Sequence, residues 1–381
     1  MSEIKVNSIK GVGASAAAIT VNNSDGTCTA NLSNRQGKNL LINGSFLIAQ
    51  RGVSSTTNGH GSVDRFSVDY GNTDEAPTQA QGDVASGTTP YTTGFRKSFK
   101  FTNGNQTSGA GSSDRVTILH RIEAQDIANS GWNYTSSSSF ITLSFWVKSS
   151  VAQNFYGFLR TSDGTPQLYP FETGSLSADT WTKITKTIPG NSNLQFDNNN
   201  GIGLEIEWDM FRGTDTTGSI SLDAWGAYNS SVRVPDMTST WYTTNDATFE
   251  ITGVQLEVGS VATDFEHRSF GQELALCQRY FERINVDSSE IYFFGVNQFG
   301  SGGRITHDFK VTKRAIPTMT IDDADYRYYA VAGSASNGNA DFSVASYNKE
   351  RMQVGSNSAG ASTSFWANKV NDGYIDANSE L

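Results

Sequence analysis

The chain has 381 residues, of which 36% are hydrophobic and 17% charged, with a net charge of −10. Its only cysteines, Cys28 and Cys277, exclude a disulfide framework and a cysteine-built zinc site, and the acidic balance leaves no basic stripe to displace counterions from a nucleic acid. The length allows two or three domains, and 37 Gly with 11% aromatics (22 Phe, 14 Tyr, 7 Trp) favour short strands joined by turns over helical bundles or α/β layers. Met1-Ser2-Glu3-Ile4-Lys5 opens without an apolar leader, and no apolar run reaches about 18 residues. The expectation is a protein made in a cytoplasm, neither secreted nor inserted in a membrane.

Residues 1–38 read as an arm. Ile4, Val6, Ile9, Val12, Ile19 and Val21 are scattered among Ser, Asn, Gly and Ala, so no stretch could bury a core alone. Such an arm becomes ordered by docking on its own body or on another chain; the second is expected here, as an attachment to an assembly. Residues 39–268 read as one antiparallel β-sandwich or jelly roll. Strands are expected at 64–70, 95–101, 116–122, 140–148, 155–160, 181–188 and 203–210, with turn signals at Asp163-Gly164 and Gly190-Asn191. In the clearest of them, Ile141, Leu143, Phe145 and Val147 point one way and Thr142, Ser144, Trp146 and Lys148 the other.

The last strand of the sandwich, 249–258, changes parity: Phe249 and Ile251 share one face, Val254, Leu256 and Val258 the other. A β-bulge at Gly253 restores the core face; two short strands with a kink would do the same. A helix over 269–284 follows, with Phe270, Leu274, Cys277, Phe281 and Ile284 as one apolar stripe. Such a stripe packs on its own domain or forms a seam with a copy of itself. Residues 285–381 form a second, smaller β domain, with strands at 291–296, 304–312, 318–321, 326–331, 341–346 and 362–366. The fold class is therefore mainly β: arm, sandwich, one connecting helix, distal β domain.

Several stretches together resemble a known family. Asn39-Leu40-Leu41-Ile42-Asn43-Gly44-Ser45-Phe46, Gln50-Arg51-Gly52 and Asp64-Arg65-Phe66 look like the start of a domain common in tailed-phage fibres, especially those of marine phages. Leu143-Ser144-Phe145-Trp146-Val147-Lys148-Ser149 and Thr180-Trp181-Thr182-Lys183 resemble its inner strands. Thr252-Gly253-Val254-Gln255-Leu256-Glu257-Val258-Gly259, Phe265-Glu266-His267-Arg268 and residues 274–283 resemble its last strand, exit and helix, and Phe309-Lys310-Val311 with Arg314-Ala315-Ile316-Pro317-Thr318 the part that follows. The resemblance spans about residues 1–320. It implies a jelly roll of the carbohydrate-binding-module type on a virion appendage, built as a homotrimer, with no catalytic residues.

The residues themselves offer little catalysis. None of His60, His120, His267 and His307 sits in an HExxH pair or beside a nucleophile motif, and Gly11-Val12-Gly13 lacks the rest of a nucleotide loop. His120 reads as a buried structural histidine and His267 as a structural hydrogen bonder at the exit. Glu205, Glu207 and Asp209 share one strand face, about 6.5–7 Å apart, near the separation glycosidases use; the plainer reading is a solvated outer face, and a sugar- or Ca²⁺-binding role comes next. Rings stack on the apolar faces of sugars, so the carbohydrate-binding candidates are Trp146, on the polar parity of its strand, and Trp225, Tyr228, Trp241 and Tyr242, in loop-rich sequence. Trp208 and Trp181 are expected in the core. Tyr326, Tyr328, Tyr329, Tyr347, Trp366 and Tyr374 make a distal aromatic set. No cofactor and no metal are expected.

The functional expectation is a tail fibre that attaches to the host by reversible binding of a cell-surface glycan. Its partners would be two further copies of the chain and, through the arm, tail or capsid proteins of the virion. Another virion protein using the sandwich for protein contacts, and a glycan-degrading tailspike, stay open as alternatives.

Overall fold

The computed structural model describes residues 8–10, 12, 19–21, 28–30, 37–286, 293–297, 303–321, 326–330, 336–339, 342–356, 365–369 and 373–381. In the arm, β1 (Ser8–Ile9), β2 (Ile19–Val21) and β3 (Cys28–Ala30) pair antiparallel. Ile4, Val6 and the arm's expected docking lie outside the described residues. The sandwich follows: β4 (Ser54–Ser55), β5 (Phe66–Gly71), β6 (Thr78–Asp83), α1 (Thr89–Thr92), β7 (Lys97–Thr102), β8 (Arg115–Glu123), α2 (Ala124–Ala128), β9 (Phe140–Ser149), β10 (Asn154–Thr161), β11 (Gln167–Ser175), β12 (Thr182–Pro189), β13 (Ile202–Arg212), β14 (Gly226–Ala227), α3 (Thr240–Thr243) and β15 (Thr248–Val258). These strands form two six-stranded antiparallel sheets, in the orders β14-β11-β10-β13-β8-β5 and β12-β9-β15-β7-β6-β4.

The alternation along β9 decides which face is core. Ile141, Leu143, Phe145 and Val147 are fully buried and join one apolar cluster with Leu204, Ile206, Trp208 and Met210 of β13 in the opposite sheet. Each such side chain is worth about 1.5–3 kcal/mol of burial. Phe46, Phe66 and Phe99 add a ring cluster with centroids 4.6, 5.7 and 6.2 Å apart.

The parity change in β15 is a bulge. Its pairing with β9 shifts register between Thr252 and Gln255, and Gly253 takes φ 63°, open to glycine at little cost. The bulge is also where β15 changes neighbour. Thr248–Ile251 pair with β7; beyond the bulge, Leu40 N donates to Leu256 O (2.9 Å) and Val254 N to Gly44 O (2.9 Å). A Cβ on Gly44 would run into the Val254 carbonyl. Glu266 and Arg268 complete this seam: the Glu266 carboxylate accepts from Gly37 N (2.6 Å) and Asn39 N (2.7 Å), and Arg268 donates to Asn39 O (2.6 Å) and Leu41 O (3.1 Å). The entry and exit of the sandwich thus form one clasp.

The connecting helix is shorter than its periodicity predicts. α4 (Phe270–Gln278) starts at a capping box, with Ser269 as N-cap and Gln272 bonding back, and stops at Gln278. The following residues form β16 (Phe281–Val286), so Phe281 and Ile284 belong to a strand and not to the stripe. Tertiary partners override the local period. Tyr280 is drawn under the Arg65 guanidinium (3.4 Å from the ring centroid), with its hydroxyl on Glu123 (2.6 Å), and Phe281 lies under Arg51 (3.5 Å). Of the stripe, Cys277 is buried and Phe270 is 61% exposed.

After β16 come β17 (Phe293–Asn297), β18 (Gly303–Asp308), β19 (Thr318–Ile321), β20 (Tyr326–Ala330), β21 (Ser336–Asn339), β22 (Phe342–Tyr347), β23 (Arg351–Ser356), β24 (Phe365–Lys369) and β25 (Gly373–Asn378). They form a three-stranded sheet, β16-β25-β19, and a seven-stranded sheet, β21-β20-β24-β17-β18-β23-β22. The parts of the expected strands at 291–292, 331, 341 and 362–364 lie outside the described residues. The expected boundary at residue 285 cuts through β16, and the end of the region returns to the sandwich. Glu380 ion-pairs with Arg65 and with Arg51 (3.4 Å), Arg121 donates to Leu381 O (2.9 Å), and Arg314 bonds both Asn200 O (2.7 Å) and Ser379 O (2.8 Å). Burial opposes the charge on Glu380, but His60, Arg65 and Arg51 outweigh it and bring its pKa down to about 2. Among the described residues no helix is long and apolar enough to cross a membrane.

Candidate functional site

The structure separates the five aromatic candidates. Trp241 and Tyr242 are buried at 0% and 1% exposure, which overturns their assignment as sugar contacts. They sit on α3, which folds loop-rich sequence into the core: Trp241 Nε1 donates to Thr248 O (3.0 Å), and the Tyr242 ring stacks on Phe211 at 4.4 Å with its hydroxyl on Asp114 (3.1 Å). Trp225 is half-buried, its ring 5.3 Å from Tyr169 and its indole N–H spent on Pro189 O (2.7 Å). Tyr228 is half-buried between Arg160 (5.0 Å) and Arg233 (5.7 Å). Trp181, expected in the core, is half-buried beneath Lys148 (5.1 Å). Trp208 is in the core as expected.

Trp146 is different. It stands on the outer face of β9, in register with Lys183 of β12 and Thr252 of β15, and it is half-buried with no hydrogen bond to its indole nitrogen among the described residues. It lines a cleft of about 360 Å³ together with Ser144, Lys183, Thr263, Asp264, Phe95, Phe265 and His267. One wall is aromatic: Phe95, Phe265 and His267 pack at 4.9, 5.2 and 5.0 Å between ring centroids. The bulge builds that wall, because a Cβ at Gly253 would come within 2.5 Å of the Phe95 ring. His267 Nε2 lies 3.1 Å from Thr93 O, the structural hydrogen bond expected of it.

The rest of the wall is a strap, residues 259–268, pinned to the outer face of β15. Glu257 accepts from Thr263 N (2.8 Å) and Thr263 Oγ1 (2.6 Å), and Glu266 N donates to Gln255 Oε1 (2.8 Å). These polar groups are spent on the strap. The Lys183 ammonium and the Asp264 carboxylate make no side-chain bond among the described residues. An apolar ring with an unspent N–H, a cation and a carboxylate therefore converge on one recess, the combination that recognises a polyhydroxylated ring. The sequence pattern marked Trp146 by parity; Phe95, Phe265, His267 and Asp264 were missed as lining residues because they reach the cleft through the bulge and the strap, which no periodicity encodes.

The acidic strip on β13 is not the solvated face expected. Glu205, Glu207 and Asp209 are 3%, 3% and 0% exposed. Glu205 pairs with Arg121 (2.7 Å) and Arg160 (3.4 Å), and Arg212 bonds both Glu207 and Asp209 (3.0 Å to the latter). Ile220, Tyr228, Val234 and Met237 cover the neighbouring Phe158 and Leu168. Burial raises the Glu207 pKa to about 8 despite Arg212, and raises that of Asp209 too. His120 is buried, with Nε2 3.2 Å from Ile42 O, and burial holds its pKa well below the usual value. Among the described residues no group of three or more His, Cys, Asp or Glu could hold a metal ion.

No family model and no curated protein matches the chain. Solved structures do. The enzymatically active domain of bacteriophage CBA120 tailspike protein 4 is 11% identical, covering 58% of this chain and 21% of that one, with a TM-score of 0.31. The N-terminal cellulose-binding domain of Cellulomonas fimi beta-1,4-glucanase C is 10% identical, covering 56% of this chain and 98% of that one, with a TM-score of 0.27. The family 11 carbohydrate-binding module from Clostridium thermocellum is 10% identical, covering 56% and 98%, with a TM-score of 0.24. At these values the likenesses bear on neither activity nor ligand. The chain spans about a fifth of the length of the tailspike domain it matches.

Proposed function

We propose that this chain is a glycan-binding component of a tailed-phage appendage, a fibre that holds a host-surface sugar reversibly and without turnover. The observation that carries the glycan reading is the cleft over Trp146, where the indole N–H, the Lys183 ammonium and the Asp264 carboxylate are all unspent beside an aromatic wall. The fibre reading rests on the sequence resemblance. In that reading residues 1–38 attach the chain to tail or capsid proteins, the sandwich presents the cleft, and residues 285–381 add a second contact surface.

Three copies per fibre suit the exposed apolar side chains Val258, Val261, Phe270 and Leu276, which lie on or beside the strap and helix and offer a subunit contact. Trimerisation would let weak single sites act together through effective concentration. Glu207 and Asp209 are 3% and 0% exposed, out of reach of a substrate, which supports binding over hydrolysis. The test is a glycan array read with the full chain and with Trp146→Ala. Binding lost in the variant supports the reading; silence on all glycans, or steady release of reducing ends from host polysaccharide, overturns it.

A further inference from the structure

We infer that the cleft takes the end of a glycan, one or two terminal sugar units, and cannot seat an internal run of a polymer. The inference rests on the glycan reading above and adds the part of the chain that is read. Along the outer face of β9 the positions are Thr142, Ser144, Trp146 and Lys148. At one end the strap lies across the face: Thr142 Oγ1 donates to Gly259 O (2.8 Å) and Thr187 Oγ1 to Ser260 O (3.2 Å), and Thr142 is 0% exposed. At the other end Lys148 is bonded to Glu250 (2.8 Å), whose second oxygen accepts from Ser98 (2.9 Å). That position holds a satisfied ion pair, and the Lys148 ammonium also caps the neighbouring Trp181 ring at 5.1 Å, so the platform there is already occupied.

Between these ends only Ser144 and Trp146 line the recess, a step of about 7 Å along the strand. The long side toward β15 is closed by the strap and by Phe95, Phe265 and His267. What stays open is the direction over the edge strand β12, where Lys183 stands. A volume of about 360 Å³ lies at the low end for ligand pockets. A polymer can therefore enter by its tip but cannot pass through.

The experiment uses the full chain and gluco-, manno- and galacto-oligosaccharides, each as di-, tetra- and hexasaccharide, immobilised in one set through the reducing end and in another through the non-reducing end. The expected result is that a recognised series binds in one orientation, is at least about tenfold weaker in the other, and changes by less than about twofold with length beyond the disaccharide. Equal binding in both orientations, with affinity rising with length, overturns the end-reading while leaving a glycan site in place. Binding in neither orientation by any series, with Trp146→Ala indistinguishable from the parent, overturns the glycan reading and this inference with it.

Discussion

The two outer faces of the sandwich carry similar side chains and use them in opposite ways. On the β13 side, charges are abundant but buried: Glu205, Glu207 and Asp209 are paired with Arg121, Arg160 and Arg212, and the loop carrying Ile220 to Met237 covers the strands beside them, so that even Asp209 Oδ2, unbonded among the described residues, is closed off from a ligand. On the β9 side, most polar groups hold the strap, and the few left over, at Trp146, Lys183 and Asp264, border a recess. The difference teaches that density of charge does not mark a binding site. Where hydrogen-bonding capacity is left unspent beside a ring that a ligand can reach, the ligand gains bonds without breaking internal ones.

Breaking the buried face gives the largest expected effect. Asp209→Ala leaves the Arg212 guanidinium buried with one carboxylate fewer and should cost about 3–5 kcal/mol of stability, read by chemical denaturation, with the affinity of the folded fraction for glycan unchanged. Gly253→Ala couples the bulge to the recess. A left-handed φ of 63° and a displaced Phe95 should cost about 1–3 kcal/mol and also weaken binding. Trp146→Ala should reverse the ratio, with at least about tenfold weaker binding and a stability change below about 1 kcal/mol.

A pH series sharpens the contrast further. The Glu207 pKa rises from 4.5 unfolded to about 8 folded, so between those values the folded state keeps a proton that the unfolded chain has released. Stability from this group is therefore lost as pH rises through that window. Glu207→Gln should make the decline shallower, measured as denaturation midpoints from acid to mildly alkaline pH. A variant that leaves the slope unchanged would show that burial of Glu207 does not set it. The smallest effect is expected of Lys183→Ala, a loss of a few-fold in affinity with stability within about 0.5 kcal/mol of the parent.

Much of the fold was legible in the sequence. The period-two alternation of β9 and the parity break at Gly253 each leave a local trace, and each is present in the structure. The end of α4 was not legible, because Tyr280 and Phe281 are turned by Arg65 and Arg51, which lie more than two hundred residues earlier in the chain. Neither was the burial of the acids on β13, whose counter-ion Arg212 sits past a register shift near the end of that strand. Trp241 and Tyr242 misled for a related reason: polar, loop-like sequence surrounds residues that a one-turn helix carries into the core. The motifs that carry the family resemblance mark structural joints more than the recess. Asn39, Leu41, Glu266 and Arg268 make the clasp, and Arg51 and Arg65 hold the C-terminal region, while Ser144, Trp146, Lys183, Gly253, Phe265 and His267 are the motif residues that line the recess.

The most direct test of the central claim, that the recess over Trp146 is where this protein holds a sugar, is a calorimetric titration with the strongest neutral oligosaccharide from the array. It compares the parent chain with Trp146→Ala and Trp225→Ala. The account predicts that Trp146→Ala abolishes measurable heat while Trp225→Ala, whose indole N–H is already bonded to Pro189, binds as the parent does. Loss of binding in Trp225→Ala with Trp146→Ala unaffected would contradict it.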